Sequence, residues 1–404
     1  MAKRIGARTP GRCRLAWRAG ASLAARAGLG LALAAALLAP ARACVPVGAW
    51  SVPVAGGAQP VGAREVLQRA QRNAVVLLGE SHDSAEHHRW QLHTLAALHA
   101  QRPDMMIGFE MFPRRVQGVL DRWVAGELTE TELLERSQWP EVWGFDAALY
   151  LPLFHFARMH RLPMLALNVE RDLVRRIGRE GIESVPPDLR EGVGRPEPAS
   201  DEYLRELHAA YVEHGAGKST SLEDAAFLRF VAGQLTWDRA MAEAIVQGQA
   251  RHPGRQVVAI MGRGHTGPGA VPHQLRALGE VGAAVLLPWD REPGCAPPAA
   301  GRAQAVFGLE APADRSAAPR PRLGVTLAPG SGRGARIAAV AAGSVAAAAG
   351  LRAEDVLVAV AGREVLRNAD VLAAIGRQAP GTWLPMRVRR GSSELELVAK
   401  FPAQ

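Results

Sequence analysis

Five short apolar runs recur along the chain: Ala74 to Leu78, Met105 to Phe109, Pro163 to Leu167, Val257 to Met261 and Ala283 to Leu287. Continuous apolar runs of this length suit strands buried on both faces of a mainly parallel sheet. Helical patterns fall between them, at Ala85 to Ala100, Val116 to Ala125, Leu153 to His160 and Glu223 to Gln249. A long insertion, from about Arg171 to Gln249, is helical in pattern and broken by a Pro-rich stretch at Pro186 to Pro198. This predicts an α/β domain over about 60–311, a mainly parallel sheet carrying a helical cap, with a last edge strand at Ala303 to Leu309. A Pro/Ala/Arg linker at 312–321 separates it from a small β-rich domain at 322–402.

The 404 residues leave room for two or three domains, and 48% hydrophobic content is ordinary for a globular chain. A formal charge of +9 suggests nucleic-acid binding until it is localised. Eight of the 48 basic residues lie in 1–43, which holds no acid, leaving 40 basic against 39 acidic residues elsewhere. The excess belongs to the N-terminus, and a nucleic-acid partner is not expected. That N-terminus has a basic start, an uncharged run from Ala27 to Ala39 and the small-x-small triplet Ala41-Arg42-Ala43, the three parts of a secretory signal peptide. A soluble periplasmic product is expected. Cleavage would place Cys44 first, so membrane association through a lipid on Cys44 stays open, as does its pairing with Cys295.

In an open parallel sheet, ligands bind beyond the carboxyl ends of the strands. There the sequence places Gly79-Glu80-Ser81-His82 after the first run, Glu110 after the second, Asn168 after the third and Gly262-Arg263-Gly264-His265 after the fourth. Two Gly-x-x-His turns and a carboxylate thus gather at one rim, with glycine expected to let the backbone turn sharply. His88 is expected to support His82, whereas His93 and His99 read as solvated. Gly215 to Thr220 has the end of a P-loop, but Val212 replaces its first glycine and no strand precedes it, so nucleotide binding is not expected.

The stretch Val76 to Asp83, followed by His87-His88, resembles the opening motif of the ChaN family in the Tiki superfamily. Phe109-Glu110-Met111, Trp143 with Tyr150 and Pro152, Gln234-Asp238-Met241-Ala242, and Gly262 to His265 continuing to Val271-Pro272-His273 resemble its later motifs in order. The resemblance implies haem or iron binding in uptake, or alternatively a hydrolase with a divalent transition metal at the paired Gly-x-x-His sites. For haem, Tyr150, His82 and His265 are the candidate donors. For a metal, the ligands would be His82, His265, Glu80 and Glu110, with Glu80, Glu110 and Asp238 as the catalytic residues, Glu80 or Glu110 serving as the general base, and peptide or ester bonds as the target. Enzymatic activity is left open.

The C-terminal segment resembles the bacterial PDZ domain, through Leu323 to Leu327, Ser344, Ala349-Gly350-Leu351, Asp355-Val356-Leu357, Gly362 and Val365. This implies capture of a protein C-terminal peptide. The backbone N–H groups of Leu323, Gly324 and Val325 would hold its carboxylate, and Asn368 would cap the helix that walls the groove. A third reading makes the PDZ module an adaptor on a degenerate enzyme scaffold.

Overall fold

The computed structural model describes residues 45–213, 221–280, 282–290, 298–310, 322–329, 334–376 and 378–403. The expected signal peptide at 1–43, Cys44, Cys295, the Gly215 to Thr220 stretch and the linker at 312–321 lie outside the described residues. Among the described residues, no helix is long and apolar enough to cross a membrane.

Each of the five apolar runs is a strand: β3 (Val75–Glu80), β4 (Met105–Pro113), β5 (Met164–Asn168), β6 (Gln256–Gly262) and β7 (Ala283–Asp290). These five pair in parallel in the order β7-β3-β6-β4-β5. The sheet also takes in β1 (Trp50–Val54) and β2 (Gly57–Val61), a hairpin mostly ahead of the boundary expected at about 60. The expected edge strand is internal: β8 (Ala305–Leu309) runs parallel to β7 and antiparallel to β1. The full order is β2-β1-β8-β7-β3-β6-β4-β5.

Alternate residues of each buried strand feed opposite faces. Val76, Leu78, Ile107, Phe109, Val258 and Ile260 pack with Trp90, Leu95, Trp123 and Phe154 from the helices Ala85–Gln101, Gln117–Ala125 and Leu151–Met159. On the other face, Val75, Leu77, Met106, Val257 and Ala259 pack against Met241, Ala242 and Ile245 of the helix Ala225–Arg251. Fully burying one such side chain contributes roughly 1.5–3 kcal/mol, so a strand apolar on both sides is held from both. The cap rests on that same 27-residue helix. Helix Arg171–Glu180 buries Leu173, Val174 and Ile177 with Ala240, and helix Asp201–Glu213 buries Tyr203, Leu207 and Tyr211 with Phe227 and Val231.

The second domain is an antiparallel sheet of β9 (Val325–Leu327), β10 (Ala335–Val340), β11 (Val356–Val360), β13 (Trp383–Arg390) and β14 (Ser393–Lys400), in the order β14-β13-β11-β10-β9. A short β12 (Arg363–Glu364) pairs with β11. Its core of Leu323, Ile337, Leu357, Val371, Val388 and Phe401 is its own. Buried Asp355 accepts two hydrogen bonds from Arg390, at 2.7 and 2.8 Å, which hold its carboxyl below the usual range despite burial.

Candidate functional site

Strand register assembles the site. β3 and β4 flank β6, and Glu80 stands opposite Gly262 at the carboxyl edge. The β4–β5 register shifts between Phe109 and Pro113, an irregularity in the strand that carries Glu110. Glu110 accepts a hydrogen bond from the Gly262 N–H at 2.6 Å, tying β4 to β6. Neither Gly79 nor Gly262 adopts the left-handed backbone expected of a sharp turn. Glycine is needed there for space. A Cβ on Gly79 would come within 2.4 Å of Leu287 Cδ2, and one on Gly262 within 2.8 Å of His82 Cε1.

Glu80 is buried and is the hub of the first half-site. Its Oε1 lies 2.7 Å from His82 Nδ1 and accepts from the Tyr150 hydroxyl at 3.1 Å, and its Oε2 lies 3.0 Å from His88 Nδ1. Burial alone would raise the Glu80 pKa, but the hydrogen bonds from His82 and His88 outweigh it and bring it down to about 2. Burial likewise opposes a charged His82, yet the Glu80 bond and the charges of Glu110 and Glu80 carry its pKa upward. Helix Ala85–Gln101 begins at Ser84, whose hydroxyl accepts from the His87 N–H at 3.3 Å. That start sets His88 Nε2 3.2 Å from the His82 carbonyl, the supporting role expected of it. His87 accepts from the Ser81 N–H at 2.8 Å, so its other nitrogen, 2.9 Å from Asp290, is the donor.

The second half-site mirrors the first. His265 Nδ1 lies 2.6 Å from buried Asp238, which also accepts from the Tyr203 hydroxyl at 2.7 Å. His265 Nε2 lies 3.5 Å from Glu110 Oε1. Against the cost of burial, the Glu110 charge and the Asp238 bond raise the His265 pKa to about 9. Each histidine therefore has a carboxylate at Nδ1 and a tyrosine behind that carboxylate. Tyr203 had no local sequence signal, because it sits in the cap and reaches Asp238 only through the fold.

The two histidines face a cleft of about 710 Å³, within the range of small-molecule and cofactor sites. Met111, Val142, Trp143, Phe145 and Trp237 give it an apolar interior, and Arg115, Arg171 and Arg175 stand among its charged lining. Trp143 and Phe145 pack on the His82 ring at centroid distances of 4.6 and 5.2 Å. Glu110 and Asn168 also line the cleft, while Glu80, Asp238 and Tyr150 do not. Tyr150 sits behind Glu80, away from the cleft lining. It is fully buried, its hydroxyl donates to Glu80, and burial with the Glu80 charge drives its pKa up, so the phenolate that would serve an iron is disfavoured. Among the described residues, no group of three or more His, Cys, Asp or Glu side chains is arranged to hold a metal ion. His82 Nε2, by contrast, has no hydrogen-bond partner among the described residues, and its side chain is 31% exposed.

In the second domain, β9 ends the sheet beside the helix Asn368–Gly376, and Asn368 Nδ2 donates to the Ala328 carbonyl at 2.8 Å. Asn368 therefore ties helix to strand rather than capping; Asp370 accepts instead from the Leu366 and Arg367 N–H groups, at 2.8 and 3.0 Å. Gly324 has φ +84°, and a Cβ there would come within 2.3 Å of Ser344 Cβ. Packing against Ser344, as well as any ligand approach, requires this glycine.

Residues 66–275 match the family model described as haem-binding uptake, Tiki superfamily, ChaN. The chain belongs to this ChaN family. Residues 336–390 match the PDZ domain model. A solved structure described as cofacial heme binding to ChaN of Campylobacter jejuni is similar at 17% identity and a TM-score of 0.51, covering 65% of this chain and 98% of that one. That likeness shows a ChaN fold. The HtrA-type protease AlgW with a decapeptide matches at 23% identity and a TM-score of 0.20, over 21% of this chain and 30% of that one. The HtrA3 PDZ domain with a phage-derived ligand matches at 23% identity and a TM-score of 0.18, over 20% and 82%. No curated protein matches the chain. The ChaN-type domain thus contributes the cleft, and the PDZ domain contributes an open sheet edge.

Proposed function

We propose that this ChaN-family protein binds haem in the cleft, with His82 Nε2 as the iron donor. The observation that carries the reading is His82 itself. Its Nδ1 is held by a buried, ionised Glu80, its ring packs against two cleft aromatics, and its Nε2 has no competing partner among the described residues. Haem iron takes a histidine nitrogen beside an apolar surface, and a carboxylate on the other nitrogen fixes the tautomer and raises the basicity of the donor. When bound, haem would supply an iron centre whose axial ligation the protein sets. The chain's own residues orient His82, shield one side of it from water and hold a second histidine, His265, across Glu110.

We also infer that the protein works in the cell envelope as part of haem or iron uptake, on the strength of the signal-like segment at 1–43 and the family description. Its PDZ module would then bring it to a partner with a free C-terminus. One preparation tests the first two points. Protein recovered from the periplasmic fraction should begin at Cys44, and haemin should titrate it to a saturable Soret band. The His82→Ala variant should lose that band or shift it, whereas Tyr150→Phe should keep the ligation type. A saturable band that His82→Ala leaves unchanged would remove His82 as donor, and an uncleaved, cytoplasmic product would remove the envelope assignment.

A further inference from the structure

We infer that Arg171 reads the carboxylate edge of the ligand, holding a porphyrin propionate at the cleft rim; this rests on the haem reading above. The cleft lining combines aromatic side chains with charged ones. Trp143, Phe145 and Trp237 give it flat aromatic walls, whereas Arg115, Arg171 and Arg175 belong to its charged part. Four acids share that lining: Glu110 stands by His265, and each of the other three already has an arginine of its own. Glu170 pairs with Arg115, Asp172 with Arg175, and Glu141 with Arg367 at 3.0 Å. Arg171 lines the cleft but has no hydrogen bond or ion pair among the described residues, so no carboxylate of the protein satisfies its guanidinium.

Its place in the helix points the same way. Arg171 is the first residue of the helix Arg171–Glu180, where the helix dipole favours an acid and disfavours a cation. Local stability therefore gives no reason for an arginine at this position. Residues that break a local rule without a structural return are where function is to be sought. A ligand that satisfies both parts of this lining is a flat apolar ring with a carboxylate at one edge. A guanidinium can take that carboxylate through two parallel N–H···O bonds, which a neutral edge cannot accept in the same way.

The test compares haemin with haemin dimethyl ester, which has the same ring and iron but no free carboxylate, by Soret titration of the full chain. Wild type should bind haemin about tenfold or more tightly than the ester, as expected of a charge-assisted hydrogen bond. Arg171→Gln should weaken haemin to near the ester's affinity while leaving the ester unchanged, and Arg171→Lys should recover part of the preference. Arg171 is exposed, so the variant should keep the circular dichroism and melting curve of wild type. If wild type binds both ligands equally, or Arg171→Gln keeps the full preference, the inference fails while the haem reading stands. If neither ligand gives a saturable band, the haem reading fails and this inference falls with it.

Discussion

His82 does two things that pull against each other. The carboxylate of Glu80 makes it a better donor to a metal, and the same carboxylate makes it a better base toward a proton. A proton must leave His82 before Nε2 can bind iron, because only the neutral ring is a ligand. Its pKa is raised above the ordinary value, so the protonated form is favoured at pH values where a free histidine would be mostly neutral. Haemin affinity should therefore fall about tenfold for each pH unit below the raised His82 pKa and level off above it. Glu80→Gln removes the leading upward influence on that pKa. Its affinity curve should reach the plateau at lower pH than wild type, at a lower limiting affinity. Soret titrations from about pH 5 upward, through the range where histidine changes charge, give both curves. A wild-type affinity that does not change with pH would mean that a group other than His82 takes the iron. Glu80, held down to about pKa 2, stays ionised throughout and adds no slope of its own.

At the scale of elements, the parallel core was legible because strands buried on both faces must be apolar at every position, as β3, β4 and β6 are. The rim residues were legible for a related reason: chemistry stands where each of those runs stops. β1 and β2 were not, since their burial is uneven and the hairpin joins the sheet only through pairing with the distant β8. Tyr203 and the arginines of the cleft were hidden in the cap, whose approach to the sheet depends on how helices pack. The role of the glycines was misread in sequence, where turn and close approach look alike. Gly262 and Gly264 separate the two cases. A Cβ on Gly262 meets His82 Cε1 at 2.8 Å, whereas one on Gly264 meets nothing within 4 Å. Gly262→Ala should push the His82 ring from its place and weaken haemin binding by about 10²-fold, the scale on which a displacement of about 1 Å damages a positioned group. Gly264→Ala should leave the titration unchanged, and equal effects of the two would show that the second Gly-x-x-His segment works through its backbone turn after all.

The whole molecule is two folded units, each with its own core and its own sheet. Among the described residues, the exposed pair of Arg367 with Glu141 links them across the cleft wall. An exposed pair of this kind contributes on the order of 0–1 kcal/mol, too little to couple peptide binding strongly to haem binding. Peptide recognition should therefore be a property of the PDZ module whether or not the cleft is filled. Sheet addition at the edge strand β9 would give a peptide its main-chain hydrogen bonds, and the N–H groups of the Leu323-Gly324-Val325 turn are the expected seat of its terminal carboxylate. Gly324→Val is a poor probe of that seat, since the new side chain would strike Ser344 and unfold the turn before any ligand arrived. Chemistry on the peptide is cleaner. Peptides with a free C-terminus and an apolar last residue should bind the full chain, and amidation should cost roughly 1.5–3 kcal/mol, the worth of a hydrogen bond to a charged group. The loss should be the same with and without saturating haemin, measured by fluorescence anisotropy. Equal binding of free and amidated peptides would remove carboxylate capture and leave the groove to internal segments, while a haemin-dependent loss would show that the two units are coupled more tightly than one exposed ion pair allows.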